Sequence, residues 1–74
     1  MSKINHQELY QEHKLEHLQD VMSELGITVQ LEQEELENIQ NQNDNFFHLF
    51  VTVLFHGGVS PKEIETYAWK LEAN

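Results

Sequence analysis

Three histidines near the N-terminus have a spacing that could bring imidazole groups together. His6, His13 and His17 lie near one another if this part of the chain is helical. His13, His17 and Asp20 also form the pattern HxxxHxxD, in which side chains one turn apart can ligate a metal ion. The pattern offers no remote fourth ligand, so we predict no metal site and no cofactor. We expect these histidines to be exposed, opposite the apolar face of the helix, and nearby carboxylates to raise their pKa.

Acidic residues at every fourth position form a second pattern with chemical meaning. A helix rises about 6 Å over four residues, so such residues make a tilted row of carboxylates on its surface. Their mutual repulsion costs on the order of 1–2 kcal/mol in total, which a basic partner would offset. The row can imitate a run of backbone phosphates, although a merely solvated helix face is the alternative. This acidic row consists of Glu8, Glu12, Glu16, Asp20 and Glu24, and Glu32, Glu34, Glu35 and Glu37 form a second acidic cluster.

Trp69 is a third candidate for a functional role. In a helix it lies away from the face that carries Ile64, Tyr67 and Leu71. An exposed tryptophan among carboxylates is typical of protein interfaces, so we assign Trp69 to the predicted partner-binding surface with the acidic row. The alternative is that a neighbouring helix covers it.

One long helix over residues 2–25 is predicted to carry the acidic row. Ser2 could be its N-cap, and Gly26 stands where a C′ glycine is expected. Apolar residues at three- and four-residue steps form a seam on this helix, through which the chain could self-associate. The seam residues assigned to self-association are Leu15, Leu18, Met22 and Leu25.

The apolar run FFHLFVTVLF, residues 46–55, is predicted to be the centre of the core. It is shorter than the roughly 20 apolar residues that cross a bilayer. A helix is preferred for it, with Phe46, Phe47, Phe50, Val53 and Leu54 on one face. The alternative is a strand, because the alternating residues 27–33 could pair with it. A two-stranded hairpin alone is marginal, which favours the helix.

Local signals place two further helices. One ends near Asn41, and Asn43 or Asp44 could cap the apolar run that follows. Ser60 and Pro61 with Glu63 form a capping box that begins a last helix over residues 61–72. The sequence thus predicts an all-α fold, a small bundle of three to four helices in a single domain over residues 1–74. The alternative is an α+β fold with a short strand pair at about 27–33 and 46–55.

The charge balance limits the classes of partner. Thirteen acidic residues face four lysines without any arginine, which gives a net charge of −9. This disfavours direct binding to nucleic acid or to an anionic membrane, and favours a basic partner protein. The chain has no cysteine and its N-terminus lacks an apolar signal region, so we expect a cytoplasmic protein. No catalytic motif is present in the sequence, and we predict that the protein is not an enzyme.

These features favour a small acidic inhibitor or regulator of the type encoded by phages and other mobile elements. It would block a basic, nucleic-acid-binding host or defence protein, and it could do so as a DNA mimic in which carboxylates stand in for phosphates. The alternatives are a structural or assembly protein, meaning an oligomerising helical subunit such as a homodimer or a chaperone, and an antitoxin-like partner.

Overall fold

The computed structural model describes residues 4–73, which form a bundle of five helices. The all-α prediction is confirmed, but three to four helices was too few. The described residues contain no strand, so the alternative pairing of 27–33 with 46–55 is not supported. The helices are α1 (His6–His13), α2 (Leu15–Leu25), α3 (Gln33–Asn41), α4 (Phe46–His56) and α5 (Pro61–Ala73).

The single helix predicted over residues 2–25 is divided at Lys14. The backbone of Lys14 has φ 53° and ψ −128°, which ends α1 and starts α2. In a straight helix, residues 6 and 17 would lie about 16 Å apart. Instead, His6 Nδ1 and His17 Nε2 are 3.0 Å apart, so α1 folds back on α2. The predicted N-cap, Ser2, lies outside the described residues, and Asn5 caps α1.

The predicted C-terminal end of α2 and the predicted start of α5 agree with the structure. Gly26 follows α2 with φ 72°, a left-handed conformation that glycine adopts without strain. At the start of α5 the Ser60 hydroxyl accepts a hydrogen bond from the Glu63 backbone N–H at 3.3 Å. The Ser60 hydroxyl also donates to the Glu63 carboxylate at 3.3 Å. Ser60 therefore caps α5 as predicted, but the Glu63 carboxylate contacts the Ser60 hydroxyl and not the Ser60 backbone N–H that a full capping box requires.

The start of α4 differs by one or two residues from the prediction. Asn45, rather than Asn43 or Asp44, is the N-cap, and its side chain accepts a hydrogen bond from the His48 N–H at 3.0 Å. The Asn43 side chain donates to the Ile39 carbonyl at 2.8 Å, at the end of α3. Several Asn and Asp residues in succession made any of them a plausible cap, and tertiary packing selects Asn45.

Helix α4 supplies the centre of the core, as predicted. Phe47 is an exception to the predicted face because its side chain is 37% exposed, and Leu49 is buried in its place. The other helices each bury apolar side chains, among them Leu18, Leu36 and Ile64. The buried residues of α4 are Phe46, Leu49, Phe50, Val53 and Leu54.

Polar side chains of α1 attach this short helix to the start of α4. The side-chain oxygen of Gln7 accepts a hydrogen bond from the Phe46 N–H at 2.7 Å, and its side-chain nitrogen donates to the Asp44 backbone carbonyl at 2.9 Å. Tyr10, whose ring is buried, donates its hydroxyl proton to the Asn43 carbonyl at 2.6 Å. Gln7 therefore acts as a second cap of α4, supplied from a distant part of the chain.

Candidate protein-binding surface

The acidic row is exposed along its whole length but is divided between two helices. All five side chains are exposed. Because α1 folds back at Lys14, the row is not the continuous stripe that one helix would give. Glu8 and Glu12 lie on α1, and Glu16, Asp20 and Glu24 lie on α2.

The carboxylates of this row have no lysine partners among residues 4–73. The one ion pair there joins Glu12 Oε2 to His13 Nε2 at 3.7 Å, and both side chains are more than half exposed. Two of the lysines face aromatic rings instead. Lys14 Nζ is 5.7 Å from the centroid of Tyr10, and Lys70 Nζ is 5.6 Å from that of Tyr67. The negative charge of the surface is therefore not neutralised locally.

The second acidic cluster is also exposed, at the start of α3. Gln33 donates a hydrogen bond to the Glu37 carboxylate at 3.4 Å, which is a weak contact on the surface. The cluster consists of Glu32, Glu34, Glu35 and Glu37, and it provides a second negative region that can be compared with the acidic row.

Trp69 is exposed, and two phenylalanines that the sequence assigned to the core region join it at the surface. Trp69 is 69% exposed, so the alternative in which a neighbouring helix covers it is wrong. Phe55 is 63% exposed and Phe47 37%. Phe47, Val51 and Phe55 lie four residues apart on α4, and this spacing could have predicted that they share one face of the helix. Large apolar side chains at the surface are candidates for contact with a partner.

The seam assigned to self-association is used within the chain. Leu15, Leu18 and Met22 are buried in the core, and Leu25 is partly buried against it. Self-association through these residues would require the core to open. If the chain forms dimers, Phe47 and Phe55 are better placed to contribute than the seam.

The histidines are arranged differently from the prediction. His17 is buried at 7% exposure and His6 is half-buried, and only His13 is exposed as expected. Sequence spacing missed the contact between His6 and His17 because it arises from the reversal of the chain at Lys14. His17 points into the bundle beside Phe46, with ring centroids 4.8 Å apart, and so cannot form the HxxxHxxD site with His13 and Asp20 on the surface. Within residues 4–73, no three acidic or histidine side chains are grouped to hold a metal ion.

The predicted direction of the histidine pKa shifts is also wrong for the two that are packed. Burial lowers the pKa of His6 below its usual value of 6.5, although Glu24 opposes this effect. Burial also lowers the pKa of His17, with a further contribution from His6. Desolvation of the rings therefore outweighs attraction to nearby carboxylates.

No protein-family model matches the chain, and neither the curated proteins nor the solved structures contain a significant match. In the part of the chain that the structure describes, no helix combines the length and hydrophobicity that crossing a bilayer requires.

Proposed function

We propose that this protein is a small, non-enzymatic inhibitor or regulator that binds a basic, nucleic-acid-binding protein and blocks its nucleic-acid site. One observation carries the proposal. All five carboxylates of the acidic row are exposed, and the described lysines do not pair with them. Such a surface costs electrostatic energy in the free protein, and a basic partner would recover that energy.

The row on α2 is the stronger part of the proposed contact. Glu16, Asp20 and Glu24 lie on one helix, at steps of about 6 Å along its axis. Glu8 and Glu12 on α1 form a separate, shorter pair. Imitation of a nucleic-acid backbone would thus use two short segments of negative charge, with Trp69 as an additional contact if the partner extends to α5.

A second candidate is an assembly function, which the exposed apolar side chains favour. Phe55 and Trp69 each leave more than half of their surface exposed, and aromatic side chains of this kind are enriched where protein interfaces form. In this case binding would depend on apolar contact rather than on charge. An antitoxin-like role would use the same acidic surface as the inhibitor and would differ in its target.

The experiment that tests the proposal is a pull-down with the tagged chain from nuclease-treated lysate, followed by elution with either salt or a double-stranded DNA oligonucleotide. We expect capture of a nucleic-acid-binding protein that both salt and the oligonucleotide release, because they compete for the same cationic site. Capture that neither of them reverses would contradict the proposal and would favour the assembly function.

A further inference from the structure

The contact between His6 and His17 joins α1 to α2 through two imidazole rings. His6 Nδ1 lies 3.0 Å from His17 Nε2, a distance at which one nitrogen donates a hydrogen bond to the other. Both rings also pack on Phe46 of α4, with centroid distances of 5.6 Å for His6 and 4.8 Å for His17. We refer to His6 and His17 as the histidine pair. It lies where α1, α2 and α4 meet.

The histidine pair has one unsatisfied polar atom in either arrangement of its protons. His6 Nε2 is buried without a hydrogen-bond partner. If His6 Nδ1–H donates to His17, then Nε2 is an acceptor without a donor. If His17 Nε2–H donates to His6, then His6 Nε2 carries a proton without an acceptor. The pair is thus satisfied only at its central hydrogen bond, and only while the two facing nitrogens share one proton.

The charged groups around the histidine pair lie on its own two helices and on α5. Asp20 and Glu24 on α2 attract a proton to the pair, while His13 on α1 disfavours it. On α5, Glu72 borders the same small apolar groove as His6. Helix α4 presents the uncharged ring of Phe46 to both histidines. The site therefore accommodates the neutral pair better than a cationic one.

We propose that the histidine pair is a proton-sensitive latch, and that its protonation releases α1 from α2 and α4 while the other helices remain folded. A first added proton places a charge beside Phe46, on a pair of which His17 is buried and His6 half-buried. A second added proton replaces the central hydrogen bond by two N–H groups that point at each other. Release is opposed by the hydrogen bonds of Gln7 to Phe46 and of Tyr10 to Asn43, so it is an equilibrium that shifts with pH rather than a complete opening.

The direction of the pH dependence follows from the lowered pKa of both histidines. In the released helix each imidazole titrates near its usual value of 6.5. Between the lower pKa of the docked state and that value, the released state binds more protons. Docking of α1 is therefore fully favourable above about pH 6.5 and weakens as the pH falls below it, until the docked pair is itself protonated. Because the two rings interact, the change belongs to the pair rather than to either residue.

The test is amide hydrogen exchange of the full chain, measured by NMR at about pH 7.5 and about pH 5.5 and corrected for intrinsic exchange rates. The two pH values lie on either side of the usual histidine pKa of about 6.5. We expect protection of the amides from Leu9 to Lys14 to fall about tenfold at the lower pH, while protection in α4 and α5 stays the same.

Two matched variants separate the latch from a general effect of acid. In His6→Phe/His17→Phe both partners of the hydrogen bond become apolar rings that still pack on Phe46, and we expect its α1 protection not to change with pH. The control His48→Gln/His56→Gln removes two exposed histidines of α4, away from the pair, and should behave as the wild type. Equal α1 protection of the wild type at the two pH values would overturn the proposal, even if the double Phe variant did not fold. Parallel loss of protection in α4 and α5, or an unchanged pH effect in the double Phe variant, would also overturn it.

Discussion

At the scale of single residues, Lys14 is the position that determines the shape of the N-terminal third of the chain. Its φ of 53° lies in a region that residues with a Cβ atom rarely adopt. The strain is tolerated because packing on both sides fixes the turn, since Leu15 and Tyr10, the residue one turn before Lys14, are both buried. The reversal at Lys14 also divides the acidic row and creates the contact between His6 and His17.

The strain at Lys14 gives a first prediction. Lys14→Gly should stabilise the protein relative to Lys14→Ala by about 1 kcal/mol, because glycine adopts positive φ without strain. Both variants lose the same charge and the same contact with Tyr10, which makes alanine the matched control. Urea unfolding of the two variants measures the difference. In an ordinary helix, alanine is more stable than glycine. A more stable Lys14→Ala variant would therefore contradict the positive φ at Lys14.

Gly57 is a residue whose importance is steric rather than conformational. A Cβ atom at this position would lie 2.6 Å from Val29 Cβ and 2.7 Å from Val29 Cγ1. The contact holds the segment before α3 against the end of α4.

Gly57→Ala should therefore destabilise the fold by about 1–3 kcal/mol. The two shortest contacts are with one side chain, and the Val53 carbonyl oxygen is farther, at 3.1 Å. Val29→Gly should therefore rescue much of this loss in the double variant. A double-mutant cycle by urea unfolding measures the coupling. Additive effects of the two substitutions would show that Val29 does not contact Gly57.

At the scale of elements, α1 is the helix held most by polar contacts. It has eight residues and one fully buried apolar side chain, Tyr10, so apolar burial alone contributes little to its docking. The two hydrogen bonds of Gln7 to the start of α4 supply specific attachment. A short helix attached in this way is the part of the bundle expected to open first.

Gln7→Ala should cost about 1–2 kcal/mol, since it leaves the Phe46 N–H without an acceptor. The control is Gln11→Ala on the same helix, where the side chain is exposed and the change in helix propensity is the same. We expect thermal unfolding to show a loss for the first variant only. Equal effects of both substitutions would mean that the Gln7 contacts do not stabilise the docking of α1.

Features formed by residues close together in the sequence were predicted, whereas features formed by distant residues were not. The cap by Ser60 and the glycine after α2 depend on neighbouring residues, and the sequence predicted both. The central role of residues 46–55 followed from their composition. The break at Lys14 could not be predicted, because it depends on tertiary packing that outweighs local helix propensity. The same holds for the burial of His17, whose partners Phe46 and His6 meet it only after the chain reverses.

At the scale of the whole molecule, the charge of −9 is the dominant property. It keeps copies of the chain apart and destabilises the compact state through repulsion. The lysines within residues 4–73 do not pair with the acidic row, which is the basis of the proposed function.

Repulsion within the molecule gives a further prediction. Raising salt from about 20 mM to about 300 mM should raise the urea midpoint of the wild type, because it screens the surface carboxylates. Glu16→Gln/Asp20→Asn/Glu24→Gln should be more stable than the wild type at low salt and should respond less to added salt. An equal salt response of both proteins would show that the α2 part of the row is not a source of repulsion.

The most direct test of the central claim compares two charge reversals in the pull-down. One variant is Glu16→Lys/Asp20→Lys/Glu24→Lys on α2, and the other reverses Glu32, Glu34 and Glu35 near α3 to lysine. Both change the net charge equally, and circular dichroism checks that both remain folded. We predict that the α2 variant loses the salt-sensitive partner while the α3 variant retains it. Retention by the α2 variant, or equal loss by both, would contradict the assignment of the acidic row as the binding surface.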